Sequence, residues 1–163
     1  MRIAVLGLGR IGRVHARNLA ATDGVDVVVH EPDPTQLDSV ADPTTIAPTL
    51  EDALDGADGV VVATPTSLHA EHLLAAAELG GPLFTETPIS LELADTGTVL
   101  EQLDRLGVPL QVGFQRRFDP GFIEMRRAIH DGDIGDLFLL RTACHDRVPP
   151  EETYLRNSGS IFK

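Results

Sequence analysis

Short, largely apolar runs alternate along this chain with longer stretches in which apolar residues recur every three or four positions, the pattern of buried strands joined by amphipathic helices. Residues 2–6, 25–29 and 59–63 are mostly β-branched or aliphatic, interrupted only by Arg2, Asp26 and Gly59, and predict buried strands; 45–46 predicts a weaker one. Between them, 10–21 reads as a helix, 35–40 as a helix confined by Pro32, Pro34 and Pro43, and 50–54 as a short helix. Thr66 or Ser67 is placed to cap a helix over 68–79 that stops at Gly80-Gly81-Pro82. A short strand at 83–85, a helix over 91–106 closed by Gly107 and a strand at 109–112 complete the series. Strands separated by crossover helices make a parallel sheet, so residues 1–114 predict a doubly wound α/β unit.

After residue 114 the pattern changes. Phe118-Asp119-Pro120 opens one more helix, through about His130, and residues 136–145 read as a strand; the rest, with Pro149-Pro150 and Asn157-Ser158-Gly159, reads as loop. One helix and one strand do not build a core. Residues 115–163 are therefore expected to be the incomplete start of a second, α+β domain.

Composition narrows the function classes. The 163 residues are 42% hydrophobic, with 13 basic and 25 acidic residues and a formal charge of −12, the wrong sign for neutralising nucleic-acid phosphates. Of the basic residues all but Lys163 are arginine, which excludes mechanisms that need an interior lysine. Cys144 is the single cysteine, and the start Met1-Arg2-Ile3-Ala4-Val5-Leu6 lacks the apolar core of a signal peptide. No apolar run approaches the ~20 residues of a membrane span. A cytoplasmic chain is expected, without membrane or nucleic-acid partners.

The candidate chemistry lies at the ends of the strands. Gly7-Leu8-Gly9-Arg10-Ile11-Gly12 is G-x-G-x-x-G directly after the first strand and opening the first helix, the placement required to bring a backbone turn and a helix N-terminus against a pyrophosphate. The alternative is a fold of the same kind with an altered pocket. Glu31 follows the second strand 19 residues after Gly12, where an acidic side chain accepts from the adenosine ribose hydroxyls and repels a 2′-phosphate, so NAD is favoured over NADP; Asp33 is the alternative carboxylate, and Arg10 and His30 are nearby cations. Thr64 and Pro65 leave the strand at 59–63 on the edge where open α/β sheets bind ligands. His69 and His72 have i, i+3 spacing but no third ligand, so packed neutral imidazoles are expected rather than a metal site. Cys144 reads as a small buried group, and the pairs Arg116-Arg117 and Arg126-Arg127 as solvated or ion-paired, Arg116 being set apart because it follows the last strand of the sheet.

Four stretches in order resemble the Gfo/Idh/MocA oxidoreductases: Gly7 to His15, Ala63-Thr64-Pro65-Thr66-Ser67-Leu68-His69-Ala70-Glu71, Glu86-Thr87-Pro88-Ile89-Ser90, and Gln111 to Pro120. The last, with Gly12-Arg13-Val14-His15, is especially similar to inositol 2-dehydrogenases. The resemblance implies a Rossmann domain followed by an α/β domain that covers the nicotinamide, carries the substrate site and builds a homo-oligomer, with hydride transfer between NAD(P) and a sugar or cyclitol carbinol carbon. By position it implies that Gly7, Gly9, Arg10, Ile11, Gly12 and Glu31 hold the pyrophosphate and adenosine side. Thr64, Pro65, His69 and Glu86 would line the nicotinamide side, and Arg116 and His145 would approach a polyol substrate.

Two departures qualify that reading. The family's Glu-Lys-Pro stretch supplies a lysine beside the substrate hydroxyl, and here the position is Thr87, which offers no ammonium charge. The family's Asp and His, which follow a segment resembling Ser158-Gly159-Ser160-Ile161-Phe162, would lie beyond Lys163. The expectation is thus the N-terminal part of an NAD-dependent inositol-type dehydrogenase, inactive alone and binding cofactor weakly or not at all by itself, with a non-catalytic NAD-binding or sensor module as the rival.

Overall fold

Five consecutive registers of parallel pairing organise the first part of the chain. In the computed structural model, which describes residues 1–39, 44–143 and 145, the strands β1 (Arg2–Leu6), β2 (Asp26–His30), β3 (Thr44–Ile46), β4 (Gly59–Val62), β5 (Leu83–Thr85) and β6 (Leu110–Val112) form one sheet in the order β3-β2-β1-β4-β5-β6. Leu6 stands opposite His30 on one side and Val62 on the other, so the carboxyl ends of β1, β2 and β4 lie level. In this order the chain turns back between β1 and β4, opening a crevice at the carboxyl edge.

The apolar interiors of β1, β2 and β4 are explained by helices on both faces. Ala4, Leu6, Val28, Val60 and Val62 pack with Leu73, Val99 and Leu103 on one side; Ile3, Val5, Val27, Val29 and Val61 pack with Leu8 and Ala16 on the other. The elements facing these clusters are α1 (Arg10–Ala20), α2 (Leu50–Leu54), α3 (His69–Ala77) and α4 (Leu93–Leu106). Each buried Val or Leu side chain contributes about 1.5–3 kcal/mol.

Local chemistry corrects several expected boundaries. Residues 34–39 form a 3-10 turn rather than an α-helix, anchored where Asp33 accepts from the Thr35 N–H and hydroxyl. Thr66 and Ser67 do not cap α3. They lie inside a 3-10 turn, Thr66–Leu68, in which the Leu68 N–H is satisfied by the Pro65 carbonyl at 2.9 Å, so no side-chain cap is needed there. Helix α4 begins two residues late because the Ser90 hydroxyl accepts from the Glu92 N–H and holds a turn.

The chain divides after Gly113 into two compact units. In the second, a 3-10 turn (Gln115–Phe118) precedes α5 (Pro120–His130), whose N-terminus is capped by Asp119 accepting from the Gly121 and Phe122 N–H groups, with Pro120 at the first helical position. The strand expected over 136–145 is absent among the described residues: 136–143 has no ladder partner and Leu137 to Leu140 are exposed. Extended backbone needs a neighbouring strand for its N–H and C=O groups before it becomes sheet. Cys144 and the loop expected over 146–163 lie outside the described residues.

Candidate functional site

The exit of β1 is built almost entirely from backbone. Gly7 has φ +89°, and a Cβ there would stand 2.8 Å from the Ala63 carbonyl and from Thr64 N and Cα. A Cβ at Gly12 would meet the Gly7 carbonyl oxygen at 1.9 Å. Side chains are thus forbidden at both positions, which brings α1 down onto the turn and the turn against the exit of β4. Gly9 differs: a Cβ there would meet nothing within 4 Å, and Gly9 is the N-cap of α1 with no side-chain cap and no acidic residue in the first turn. The helix N-terminus therefore presents N–H donors and partial positive charge beside open room, a cradle whose chemistry fits a pyrophosphate. Arg10 is exposed at the start of α1, while Ile11 turns its side chain towards the cluster containing Val5 and Val29.

Glu31, just beyond β2, closes this turn from the other side. Its Oε2 accepts from the Leu8 N–H at 2.7 Å and its Oε1 from the Asp33 N–H at 2.9 Å. Each oxygen keeps a lone pair for a further donor, as a ribose diol requires. Asp33 is instead engaged by Thr35, whose hydroxyl and N–H hold its carboxyl below the usual carboxylate range. Arg13 donates from Nε to the Leu8 carbonyl at 2.9 Å and also bonds Gln36, tying the glycine turn to the 3-10 turn after β2. His30 does not face Glu31's carboxylate through Nδ1, which lies 3.2 Å from the Ala47 carbonyl.

At the exits of β4 and β5 side chains take over. His69 is only 2% exposed; its Nε2 lies 2.9 Å from the Thr64 carbonyl and its Nδ1 2.7 Å from the Pro88 carbonyl. Both ring nitrogens face backbone carbonyls, and a neutral ring, with one N–H, donates to one of them, so His69 is buried between the two exit loops and turns neither nitrogen to a ligand. His72, 9% exposed, places Nδ1 3.2 Å from the Thr64 hydroxyl. Burial, the largest influence, pushes its imidazole below the ordinary histidine value, opposed by Glu71 and reinforced by His30 and His69. Among the described residues no cluster of three metal-ligating side chains exists.

Glu86 is engaged by a histidine of α1. Its Oε1 pairs with His15 Nε2 at 2.8 Å, the His15 ring stacks edge-on to Phe84 at 5.0 Å, and a Cβ at Gly113 would come within 2.9 Å of Glu86 Oε2. The contact from α1 to the residue that follows β5 spans 71 residues and has no local signal in the sequence; the resemblance includes His15 but implies no role for it. Thr87 is exposed, and the Thr87–Pro88 peptide is cis.

The structure thus gathers Gly7, Gly9, Arg10, Gly12, Glu31 and Thr64 along the carboxyl ends of β1, β2 and β4, with Pro65, His69 and Glu86 following at β4 and β5. Arg116 and His145 belong to the second unit. The Arg116 guanidinium lies 5.2 Å from the centre of the Phe122 ring, and His145 is exposed. Arg127 is ion-paired with Glu124, Asp131 and Asp133, which accounts for one arginine of the second pair. Among the described residues no helix is long and apolar enough to cross a membrane.

Comparison with known proteins agrees with this geometry. The chain is 37% identical to scyllo-inositol 2-dehydrogenase (NAD(+)) of Bacillus subtilis over 99% of its own length and 49% of that protein's. It is 34% identical to myo-inositol 2-dehydrogenase of Thermotoga maritima, covering 99% of this chain and 50% of that one. Its fold matches scyllo-inositol dehydrogenase from Lactobacillus casei, solved with bound NAD(H) and scyllo-inositol, at a TM-score of 0.74 and 25% identity over 83% of this chain and 42% of that one. The chain spans about half the length of the curated relatives it matches. Residues 1–114 match the model of the Gfo/Idh/MocA oxidoreductase family with its NAD-binding Rossmann fold, and the chain belongs to that family.

Proposed function

We propose that this chain is the cofactor-binding part of an NAD-dependent dehydrogenase that transfers hydride between nicotinamide and a hydroxyl-bearing carbon of a sugar or cyclitol, of inositol type. The observation that carries the reading is the β1 exit: two glycines with no room for a Cβ, a third facing open space, and an uncapped helix N-terminus, all at the switch point of the sheet. Gly7, Gly9, Arg10, Ile11 and Gly12 hold the pyrophosphate, chiefly through backbone, and Glu31 accepts from the adenosine ribose. Thr64, Pro65 and Glu86 line the nicotinamide side, with His69 fixing the loops that carry them. When bound, the nicotinamide supplies the redox chemistry, and the protein contributes binding and orientation. Residues 1–114 form the NAD(P)-binding domain; residues 115–163 contribute to a substrate and oligomerisation domain, where Arg116 and His145 approach the polyol. A homo-oligomeric parent and a cytoplasmic location complete the reading.

Fluorescence titration of the 163-residue chain with NADH and NADPH tests it. NADH is expected to bind, NADPH about tenfold or more weakly, and Glu31→Gln to weaken NADH by removing a charged acceptor worth about 1.5–3 kcal/mol. Absence of saturable NADH binding, or equal affinity for both dinucleotides, overturns the corresponding claim.

Thr87 favours a second reading, a non-catalytic NAD-binding or sensor module. Proton-transfer groups contribute about 10²- to 10⁴-fold, and a hydroxyl cannot replace an ammonium group in that role. The chain is then expected to bind NADH without inositol-dependent NADH production; robust turnover by the 163-residue chain would remove this reading.

A further inference from the structure

The two histidines at the start of α3 act on one residue from one face of the helix, as their i, i+3 spacing allows. His69 Nε2 is 2.9 Å from the Thr64 carbonyl and His72 Nδ1 is 3.2 Å from the Thr64 hydroxyl. On the opposite side Thr64 N and Cα lie 2.8 Å from where a Cβ at Gly7 would stand. Thr64 is therefore wedged between the glycine turn and α3 at the switch point, with its backbone fixed by one imidazole and its hydroxyl addressed by the other.

A hydroxyl carries one proton and two acceptor lone pairs. A neutral His72 with its lone pair on Nδ1 takes that proton, leaving Thr64 Oγ1 as an acceptor towards the crevice. An imidazolium must donate from Nδ1, which reverses the hydroxyl: a lone pair turns to His72 and the O–H, still bound to Oγ1, turns away from it. Burial disfavours the imidazolium, and the ionisable groups acting on it are Glu71 and His69 on the same helix and His30 at the end of β2.

We propose that His72 is a positioning residue for the dinucleotide, fixing Thr64 Oγ1 as a hydrogen-bond acceptor for an N–H or O–H donor of the ligand at the β1–β4 switch point. The inference rests on the cofactor reading above and extends it to a residue outside the glycine turn. Protonation of His72 then weakens binding, because the crevice meets a donor where it needs an acceptor.

The test uses the whole 163-residue chain and two measurements. Long-range ¹H–¹⁵N NMR of the free protein reports the tautomer and titration of His72, and NADH titrations run from about pH 7.5 downwards through the pH at which that titration is seen, below the ordinary histidine value. Nδ1 is expected to be the acceptor nitrogen at neutral pH. The NADH dissociation constant is expected to rise about three- to tenfold, the worth of one hydrogen bond, as His72 titrates. His72→Gln should flatten that profile and Thr64→Ser should retain it. An Nδ1 that carries the proton at neutral pH, or an undiminished pH dependence in His72→Gln, overturns the proposal while leaving cofactor binding intact. Failure of the wild-type chain to bind NADH at any pH overturns the cofactor reading, and the proposal with it.

Discussion

The unit Met1–Gly113 and the unit beginning at Phe114 spend their apolar residues in opposite ways. In the first, Val5, Val27, Val29 and Val62 have no exposed surface and every strand has a parallel neighbour; in the second, Phe138 is 100% exposed and Leu139 78%, and residues 136–143 pair with nothing among the described residues. Local sequence in the two regions is equally strand-like. What differs is the presence of partners: a strand is stabilised by its ladder and by the side chains packed across it, so the same pattern is buried sheet in one place and exposed chain in the other.

That contrast can be broken or sharpened by substitution. Leu73→Ala, in the wholly buried cluster under α3, should cost about 2–5 kcal/mol in chemical denaturation; a loss below 1 kcal/mol, on the order of a surface change, would show that the first unit is not packed as described. Gly12→Ala places a methyl 1.9 Å from the Gly7 carbonyl, where neither side can yield without backbone movement, and should cost about 3 kcal/mol, the upper part of the overpacking range. It should also abolish NADH binding, whereas Gly9→Ala, facing open room, should leave stability nearly unchanged and impair binding alone.

A smaller effect follows from His72. Its folded imidazole titrates below the ordinary histidine value, so between the two values the unfolded chain holds more protons and stability rises with pH. The stability is present in full above the unfolded histidine value and is lost as pH falls through it. Melting temperatures of the wild type should therefore drop between about pH 7.5 and about pH 5.5 more than those of His72→Gln; parallel profiles would refute the assignment. The least effect is expected from Leu139→Ser, which should change stability by no more than about 0.5 kcal/mol because the side chain is already in water. A larger loss would mean that this segment is covered in solution.

Most of the sheet was legible because each of its strands carries its own signal. The run Val60-Val61-Val62 is apolar on both faces, and Gly107 ends α4 as expected at φ 68°. The glycine turn was legible for a related reason: Gly7 and Gly12 are needed by the backbone itself, so spacing alone exposes them. The Thr66 and Ser67 cap failed because a 3-10 turn had already satisfied the N–H groups, and the strand at 136–145 failed because pairing is not a local property.

The amino-acid order by itself determined the parallel α/β architecture, the dinucleotide-type turn after β1, Glu31 at the end of β2 and the absence of a lysine at position 87. These depend on local conformation, burial pattern and residue identity. Only the tertiary structure decided that His15 meets Glu86 across 71 positions, that His69 lies between the carbonyls of two exit loops, and that His72 addresses the Thr64 hydroxyl. Side chains at strand exits acquire partners only when the sheet brings those exits together, and distances of a few ångströms between segments far apart in sequence are set by packing rather than by periodicity.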